Sequence, residues 1–310
     1  MRAIEMDADG RLALVEVDSP AADAGQLIVK VRAVSINRGE VLRARAAGAG
    51  FRPGWDFAGV VVEGPAKRGL GPGTRVAGFL PVGAWAEELV VAPRQIAVIP
   101  DGVSDQVAAS LPVAGLTALG AIDSGGNLVG RKVLVTGASG GVGSFAAHLA
   151  AQSGALVTAV VRRSVEECRH LFPEDTQVVS AQGNLDGVGQ FGPFDLIVET
   201  LGGTTLGEAM TMLTHNGKCV TLGVTDQVNT TFDAEQFFMT GSASLQGFVL
   251  FRDRLATPAE GMERLLRLAA AGKLDAEIGL VENWENIESV ADQLIERAFV
   301  GKAVLTLGGD

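Results

Sequence analysis

A glycine-rich loop between a predicted buried strand and a predicted helix limits the possible folds of this chain more than any other feature. Residues 137–143, Gly-Ala-Ser-Gly-Gly-Val-Gly, directly follow the apolar run 132–136 and open the alanine-rich run 142–153. Glycine lets a pyrophosphate approach the backbone, and the amides and dipole of a helix N-terminus favour negative charge. The loop therefore predicts a dinucleotide site, with an ordinary glycine-rich turn as the alternative. The predicted contacts are Ala138, Ser139, Gly140, Gly141 and Val142.

The end of the next predicted strand indicates which dinucleotide would bind. An NAD site usually places an aspartate or glutamate about 20 residues beyond the loop, where it binds the ribose 2′-hydroxyl. Here strand 156–161 is followed by Arg162, Arg163 and Ser164. Two guanidinium groups and a hydroxyl suit a 2′-phosphate, so these residues predict NADP(H). The alternative is that both arginines are solvated and that Ser164 caps the next helix, with Glu167 completing a capping box.

Hydrophobic patterning divides the chain into a β part and an α/β part. Roughly the first 115 residues alternate apolar and polar side chains in short runs between Gly and Pro, which is typical of strands. Beyond them, apolar strands alternate with helices, which indicates a parallel sheet covered on both faces. The further strands of that sheet are predicted at 177–180, 194–200, 218–222 and 245–249. The last segment predicts helices at 258–271 and 287–298 and strands at 278–281 and 303–307.

Composition excludes several classes of function. The net charge is −11, so the chain would repel the phosphate backbone of a nucleic acid. Two cysteines, Cys168 and Cys219, cannot form the disulfide framework of a small secreted protein. Glu5, Asp7 and Asp9 stand where a signal peptide needs an apolar stretch, and the longest uncharged run is too short to cross a bilayer. We expect a cytoplasmic protein without a membrane segment.

Three motifs in order along the chain resemble one family. They are residues 53–61 (PGWDFAGVV), 71–76 (GPGTRV) and 83–87 (GAWAE). With the glycine loop they resemble the medium-chain dehydrogenase/reductase superfamily over essentially the whole chain. The resemblance implies an α/β protein with a GroES-like, partly open β-barrel catalytic domain at 1–119 and 252–310. It also implies a doubly wound, parallel-sheet Rossmann domain at 120–251 and an active site in the cleft between the domains.

The residues at the zinc-ligand positions of this superfamily point to a branch that works without metal. The zinc alcohol dehydrogenases use a Cys, a His-Glu pair and a further Cys or similar ligand. The matching positions here hold Asn37, Trp55-Asp56 and approximately Ala114, which cannot make a Cys or His zinc site. We therefore expect no metal. The resemblance is to the quinone oxidoreductase (zeta-crystallin-like) and enoyl reductase branch.

The resemblance to that branch also implies particular site residues. Asn37 matches an asparagine near the nicotinamide and is the predicted catalytic residue, although asparagine commonly satisfies turn amides instead. Thr117 matches a threonine that contacts the nicotinamide end of the cofactor. Three loops would contact the rest of the cofactor through Thr200 and Leu201, through Leu222, Gly223 and Val224, and through Phe248, Val249 and Leu250.

The hypothesis that follows is hydride transfer from NADPH to a quinone or an α,β-unsaturated carbonyl, with Asn37 as an oriented donor to the developing oxyanion. The chain contains no tyrosine, so water and the cofactor ribose stay open as proton sources. A small apolar or aromatic substrate is expected, because the resemblance places several aromatic residues near the cleft: Phe51, Trp55, Phe79, Trp85, Phe248 and Phe251. Each of these could equally belong to the core.

Two further expectations concern alternatives and assembly. The competing function is a non-catalytic NADPH-binding sensor or scaffold of the same fold, which would keep the glycine loop and lose turnover.

The family resemblance also implies a homodimer, in which the sheet edge near 245–249 pairs with its counterpart.

Overall fold

Two units make up the chain. The computed structural model describes residues 1–64, 69–225, 228–252 and 258–308. The first unit comprises Met1–Leu116 together with Arg254–Asp310, and the second comprises Thr117–Asp253. Each unit is described by itself below.

Within its described residues, the first unit begins with seven strands. These strands are β1 (Arg2–Met6), β2 (Leu12–Glu16), β3 (Leu27–Ile36), β4 (Asp56–Glu63), β5 (Arg75–Phe79), β6 (Glu88–Val91) and β7 (Ile96–Val98). The central β3 and β4 bury most of their residues rather than strictly alternate ones. Helix α1 (Arg38–Ala47) follows β3, and α2 (Asp105–Ser110) precedes α3 (Pro112–Ser124). Ser104 caps α2 by accepting a hydrogen bond from the backbone of Val107.

The second unit is a six-stranded parallel sheet with helices between its strands. Its strands are β8 (Lys132–Val135), β9 (Leu156–Val161), β10 (Gln177–Ser180), β11 (Phe194–Glu199), β12 (Leu213–Thr221) and β13 (Ser244–Gly247). Its helices are α4 (Gly141–Gln152), α5 (Val165–Cys168), α6 (Gly203–Thr211) and α7 (Ala234–Met239). The strands lie in the order β10-β9-β8-β11-β12-β13, which is the doubly wound order of dinucleotide-binding folds.

The last part of the chain completes the sheet of the first unit. It contributes α8 (Pro258–Ala270), β14 (Ile278–Asn283), α9 (Ile287–Ile295) and β15 (Lys302–Thr306). The resulting sheet has the order β14-β15-β3-β4-β5-β7, and β6 pairs with β3. Its core includes the fully buried side chains of Phe57, Trp85 and Trp284.

The six predicted Rossmann strands are present, although β12 begins at Leu213 rather than at 218 and β13 ends at Gly247 rather than at 249. Strands predicted at 132–136, 156–161, 177–180 and 194–200 coincide with β8 to β11 to within one residue. Helices α6 and α7 were not predicted, because α6 opens with Gly-Gly-Thr-Thr and α7 has six residues. In the parts of the chain that the structure describes, no helix combines the length and apolar character needed to span a bilayer.

Both cysteines lie in the interior of the second unit. Cys168 and Cys219 are unpaired thiols, and each is fully buried. Burial raises the pKa of both thiols above the ordinary cysteine value, and in Cys219 the nearby Glu199 carboxylate adds to the effect. Each sulfur is therefore held as a neutral thiol.

Candidate functional site

The carboxyl ends of β8 and β11 form the point at which the strand order of the second unit reverses. These two strands are neighbours, with Val135 opposite Val198. Just beyond them, the Thr200 amide donates to Thr136 Oγ1 at 3.0 Å, and Thr200 Oγ1 donates to the Thr136 carbonyl at 3.0 Å. Ligands of open parallel sheets bind outside this point. The geometry therefore places the candidate site at the ends of β8 and β11.

The glycine loop follows β8 and requires glycine at two positions in particular. Gly137 has φ +57°, and a Cβ there would lie 2.4 Å from Thr200 Oγ1. A Cβ on Gly143 would lie 2.4 Å from the Gly137 carbonyl oxygen, so α4 packs directly on the loop. Because Gly137 supplies the left-handed conformation, Ala138 can follow it without strain. Ala138 is fully buried, and its amide donates to the Val160 carbonyl at 2.9 Å.

The other loop residues form a cradle that fits a pyrophosphate. Ser139, Gly140, Gly141 and Val142 are all at least partly accessible to solvent. Helix α4 begins at Gly141, and the first amides of a helix have no partners within the helix. Small side chains and unpaired amides at a helix N-terminus are the features that bind a dinucleotide diphosphate. The residues present therefore fit a dinucleotide cofactor.

At the end of β9, the predicted capping box forms. Ser164 Oγ accepts a hydrogen bond from the Glu167 amide at 3.2 Å, and Glu167 Oε2 accepts from the Ser164 amide at 3.1 Å. Ser164 Oγ also lies 2.8 Å from Glu167 Oε2 as a donor, and the hydroxyl and amide of Ser164 together lower the pKa of the Glu167 carboxyl. Arg163 lies 3.9 Å from Glu167, and Arg162 is exposed. Because capping and phosphate binding use the same serine, a 2′-phosphate would share Ser164 with Glu167.

A buried carboxylate, which the sequence did not predict, organises the loop after β11. Glu199 is fully buried and accepts hydrogen bonds from the Leu201 amide at 2.7 Å and the Gly202 amide at 3.1 Å. The hydroxyl of Thr136 donates to it at 3.1 Å, and that of Thr221 lies at 3.5 Å. Burial raises the pKa of Glu199 against the opposing effect of these donors. The carboxylate thus connects the ends of β8, β11 and β12.

The remaining predicted cofactor contacts differ in exposure. Thr117, Phe248 and Leu250 are buried, whereas Val224 and Val249 are each half exposed. Thr200, Leu201, Leu222 and Gly223 are partly exposed around the end of the sheet. The Phe248 ring packs on α3, since a Cβ on Gly120 would lie 2.4 Å from it. The roles of all these residues in binding stay predictions.

In the first unit, Asn37 lies in a cluster of buried charged side chains. Its Nδ2 donates to Asp56 Oδ2 at 2.7 Å and to Glu40 Oε1 at 3.1 Å. Lys302 Nζ donates to Asn37 Oδ1 at 2.6 Å and lies 3.7 Å from Asp56 Oδ2. Asp56 is fully buried, and Glu40 and Lys302 are nearly so. Both amide hydrogens of Asn37 are thus donated to carboxylates, and its predicted catalytic role stays a prediction.

Backbone donors and burial set the charge balance of this cluster. Glu40 Oε2 accepts from the Trp55 amide at 2.8 Å, and Asp56 Oδ1 accepts from the Val113 amide at 2.8 Å. Burial raises the pKa of Asp56 to about 6 against the opposing effect of Lys302, and it raises the pKa of Glu40 well above its usual value. Burial lowers the pKa of Lys302, although both carboxylates favour its charge.

The cluster does not fit a zinc ion. Asn37, Trp55 and Asp56 stand at positions that match zinc ligands in the alcohol dehydrogenases, and zinc prefers Cys and His. The Lys302 ammonium already donates to Asn37 Oδ1 and lies beside Asp56 Oδ2, so a cation occupies the position next to these oxygens. Over residues 1–64, 69–225, 228–252 and 258–308, no group of three or more His, Cys, Asp or Glu side chains is arranged to hold a metal.

A separate polar cleft lies between α6 and α7. Its volume is about 520 Å³, and its lining includes Thr204, Glu208, Thr211, Asn229, Asp233 and Gln236. None of the predicted cofactor contacts lines it. The glycine loop, with its steric requirement for glycine, remains the better-supported binding site.

The buried charged residues that the sequence patterns did not predict as part of a site share a recognisable feature. Glu199 ends a buried apolar strand and is followed by Thr200 and Leu201, and Lys302 begins a buried strand. A charged residue inside an apolar run must find partners when the chain folds. Those partners cannot be identified from one sequence, since Lys302 and Asn37 are 265 residues apart.

Comparisons with known proteins agree with this architecture. The family of the alcohol dehydrogenase GroES-like domain matches residues 23–101, and the family described as zinc-binding dehydrogenase matches residues 141–270. The chain is 33% identical to erythronolide synthase EryA2 of Saccharopolyspora erythraea over 94% of this chain and 8% of that protein. Against the first polyketide synthases it resembles, it spans only 4% to 10% of their length.

Two further likenesses cover most of both chains. The chain is 26% identical to quinone oxidoreductase-like protein 2 of Bos taurus over 83% of this chain and 76% of that protein. The structure of a mycobacterial protein complexed with NADPH shares the fold, with a TM-score of 0.85, 23% identity and coverage of 99% of this chain and 100% of that one. The GroES-like and Rossmann assignments are thereby confirmed. The chain belongs to the medium-chain dehydrogenase/reductase superfamily of oxidoreductases, in its zinc-independent, quinone oxidoreductase-like branch.

Proposed function

We propose that the protein is an NADPH-dependent reductase that transfers hydride, without a metal ion, to a quinone or an α,β-unsaturated carbonyl compound. The observation that carries the proposal is the cradle at residues 137–143, where Gly137 and Gly143 leave no room for a side chain. The mycobacterial neighbour complexed with NADPH and the quinone oxidoreductase-like relative support the cofactor and substrate classes.

The residues of the chain would act by binding and orientation. Ser139 and Gly141 would hold the diphosphate through backbone amides at the start of α4, and Gly140, whose amide donates to the Gly137 carbonyl at 3.0 Å, would let it approach the loop closely. When bound, NADPH supplies the hydride. One hydride and one proton convert a quinone to a hydroquinone or an enone to a saturated carbonyl, so the electrons and protons balance.

Asn37 is proposed to lie beside the reacting atoms. Its Nδ2 is engaged by Asp56 and Glu40, and its Oδ1 by Lys302. A role as donor to an oxyanion therefore requires one of the two N–H groups to be released from its carboxylate. The structure thus assigns Asn37 a fixed orientation, in which its oxygen faces Lys302.

The aromatic residues predicted to line the substrate site separate into two groups. Trp85 is buried in the core of the first unit, and Phe248 is buried against α3. Phe51, Trp55 and Phe79 are partly exposed, and Phe251 is 40% exposed. We therefore propose only the second group as candidates for substrate contact. An apolar or aromatic substrate suits such side chains.

The proposal is tested by titrating the protein with NADPH and NADH and then following NADPH oxidation with 1,4-benzoquinone and simple enones. Preference for NADPH together with turnover is the expected result. Tight NADPH binding without turnover on the whole panel would instead favour a non-catalytic sensor or scaffold. Failure to bind either dinucleotide would contradict both functions.

The preference for NADPH is expected to depend on Arg162 and Arg163. A charge-assisted hydrogen bond contributes about 1.5–3 kcal/mol, so replacing both by alanine should weaken NADPH binding roughly 10- to 100-fold. NADH, which has no 2′-phosphate, should bind with nearly unchanged affinity. Fluorescence titration with both cofactors measures the ratio. Arg94 is an exposed arginine of the first unit, and Arg94→Ala controls for the loss of a positive charge elsewhere. An equal loss of affinity for NADH would contradict the assignment of Arg162 and Arg163 to the 2′-phosphate.

The edge strand β13 is proposed to pair with its counterpart in a homodimer. Among the described residues β13 pairs only with β12, and Leu245 on it is 45% exposed. Light scattering should give twice the 32.0 kDa of one chain. Leu245→Asp should shift the protein to the monomer mass, because the aspartate charge would be buried in the interface between the two β13 strands. Val129→Asp, at a position that is 74% exposed, should not; a monomeric unmodified protein would contradict the dimer.

A further inference from the structure

The hydrogen bonds of Glu199 join three of the loops that the proposed cofactor would meet at the carboxyl end of the sheet, those after β8, β11 and β12. Its carboxylate accepts from Leu201 and Gly202 on its own loop and from the hydroxyl of Thr136 at the end of β8. Thr136 in turn holds Thr200, whose Oγ1 occupies the space beside Gly137. The Glu199 carboxylate is therefore connected to the glycine loop through Thr136 and Thr200.

The backbone of Glu199 also bonds to the loop after β12. The Leu222 amide donates to the Glu199 carbonyl at 2.8 Å. Thr225 Oγ1 donates to the Thr200 carbonyl at 3.0 Å, and the Thr221 hydroxyl approaches the carboxylate at 3.5 Å. Glu199 thus holds together the two segments, after β11 and after β12, that are predicted to contact the cofactor.

Burial of the Glu199 carboxylate at this position has a cost in free energy of folding. Glu199 is fully buried, and each of its described partners is a neutral amide or hydroxyl rather than a cation. Burying a carboxylate without a cation costs free energy that hydrogen bonds only partly offset. An apolar residue at this position would avoid that cost but would leave the amides of Leu201 and Gly202 without acceptors.

We propose that Glu199 is a positioning residue that holds the loops after β8, β11 and β12 in the arrangement that binds the cofactor. In this role it would touch neither the cofactor nor the substrate, and it would act through Thr136, Leu201 and Gly202 and, at the loop after β12, through Thr221 and Leu222. The part of the proposal that concerns affinity rests on the proposed NADPH-dependent function. The part that concerns loop order does not.

The test compares Glu199→Ala and Glu199→Gln with the unmodified protein. Alanine removes every acceptor, and we expect it to raise the Kd and KM for NADPH at least about tenfold while kcat changes less than about threefold. Glutamine keeps the acceptor oxygen that Leu201, Gly202 and Thr136 share and replaces only the second oxygen, which Gly202 and Thr221 approach, so it should restore part of the affinity. Hydrogen exchange at Leu201 and Gly202 should accelerate in the alanine variant without cofactor.

A control variant separates positioning from general destabilisation. Val133→Ala removes two methyl groups from β8 in the same sheet without touching the loops, and it should lower Tm but leave Kd and the loop exchange unchanged. If Glu199→Ala lowers Tm with the Kd and loop exchange of the control, the positioning role is overturned. If the unmodified protein binds no dinucleotide, the proposed function fails, and the loop exchange alone decides whether Glu199 orders these loops.

Discussion

Replacing Gly143 by alanine is expected to weaken NADPH binding by about 100-fold. The added Cβ would lie 2.4 Å from the Gly137 carbonyl oxygen and 2.7 Å from Ala138 Cα, and both neighbours are backbone atoms that cannot rotate away. The loop must therefore move relative to α4, which displaces the amides proposed to hold the diphosphate. Overpacking of this kind costs about 1–3 kcal/mol, and 1.4 kcal/mol corresponds to a tenfold change.

Equilibrium titration with NADPH measures this loss, and a second glycine provides the control. Gly189 lies in the same unit with an ordinary φ, and a Cβ there would meet no atom within 4 Å. Gly189→Ala should leave both Kd and Tm nearly unchanged. If Gly143→Ala binds NADPH as the unmodified protein does, the cradle is not the cofactor site.

Replacing Lys302 by methionine is expected to lower the free energy of unfolding of the first unit by about 3–5 kcal/mol. Lys302 is 4% exposed, and its loss would leave the Glu40 and Asp56 carboxylates buried beside each other without a cation. Removing one partner of a buried ionic group costs this much because an uncompensated charge remains. Urea unfolding followed by tryptophan fluorescence reports on this unit, since all three tryptophans, Trp55, Trp85 and Trp284, belong to it.

The destabilisation should also depend on pH. The pKa of Asp56 is already raised to about 6, and removal of the Lys302 charge would raise it further. A carboxyl whose pKa is higher in the folded state loses stability as pH rises from its unfolded value, near 3.9, through the folded value. The deficit of Lys302→Met should therefore be larger at pH 8 than at pH 5.

Two variants check this explanation. Asp56→Asn in the Lys302→Met background removes one of the two carboxylates and should recover part of the lost stability. Lys30→Met, at an exposed position of β3, should change the free energy of unfolding by less than about 0.5 kcal/mol. Equal effects of Lys302→Met and Lys30→Met would show that the cluster contributes nothing.

Local patterns in the sequence predicted most of the Rossmann unit. A strand, a glycine loop and a helix are contiguous, so the segment from β8 to α4 could be assigned from neighbouring residues alone. The capping box of Ser164 and Glu167 was predictable for the same reason, because its partners are three residues apart. Helix α6 was missed because its stability comes from burial of small residues such as Gly203 and Thr205 rather than from intrinsic helix propensity.

The groups that organise the two candidate sites could not be predicted, because their partners are distant in sequence. Glu199 meets Thr136 across 63 residues, and Lys302 meets Asn37 across 265. One sequence shows that such residues are charged within apolar runs but not which groups they meet. Asn37 illustrates the difference. Its match to an asparagine near the nicotinamide was visible in the sequence, whereas the engagement of both its side-chain amide hydrogens appeared only in the structure.

The burial of both cysteines bears on the chemistry proposed for the chain. Quinones and enones are electrophiles, and the thiolate is the form of cysteine that attacks them. Cys168 and Cys219 are the only cysteines of the chain, both are shielded from solvent, and burial keeps each thiol protonated. The folded chain therefore presents no accessible cysteine thiol, which removes the most reactive site for alkylation by an electrophilic substrate.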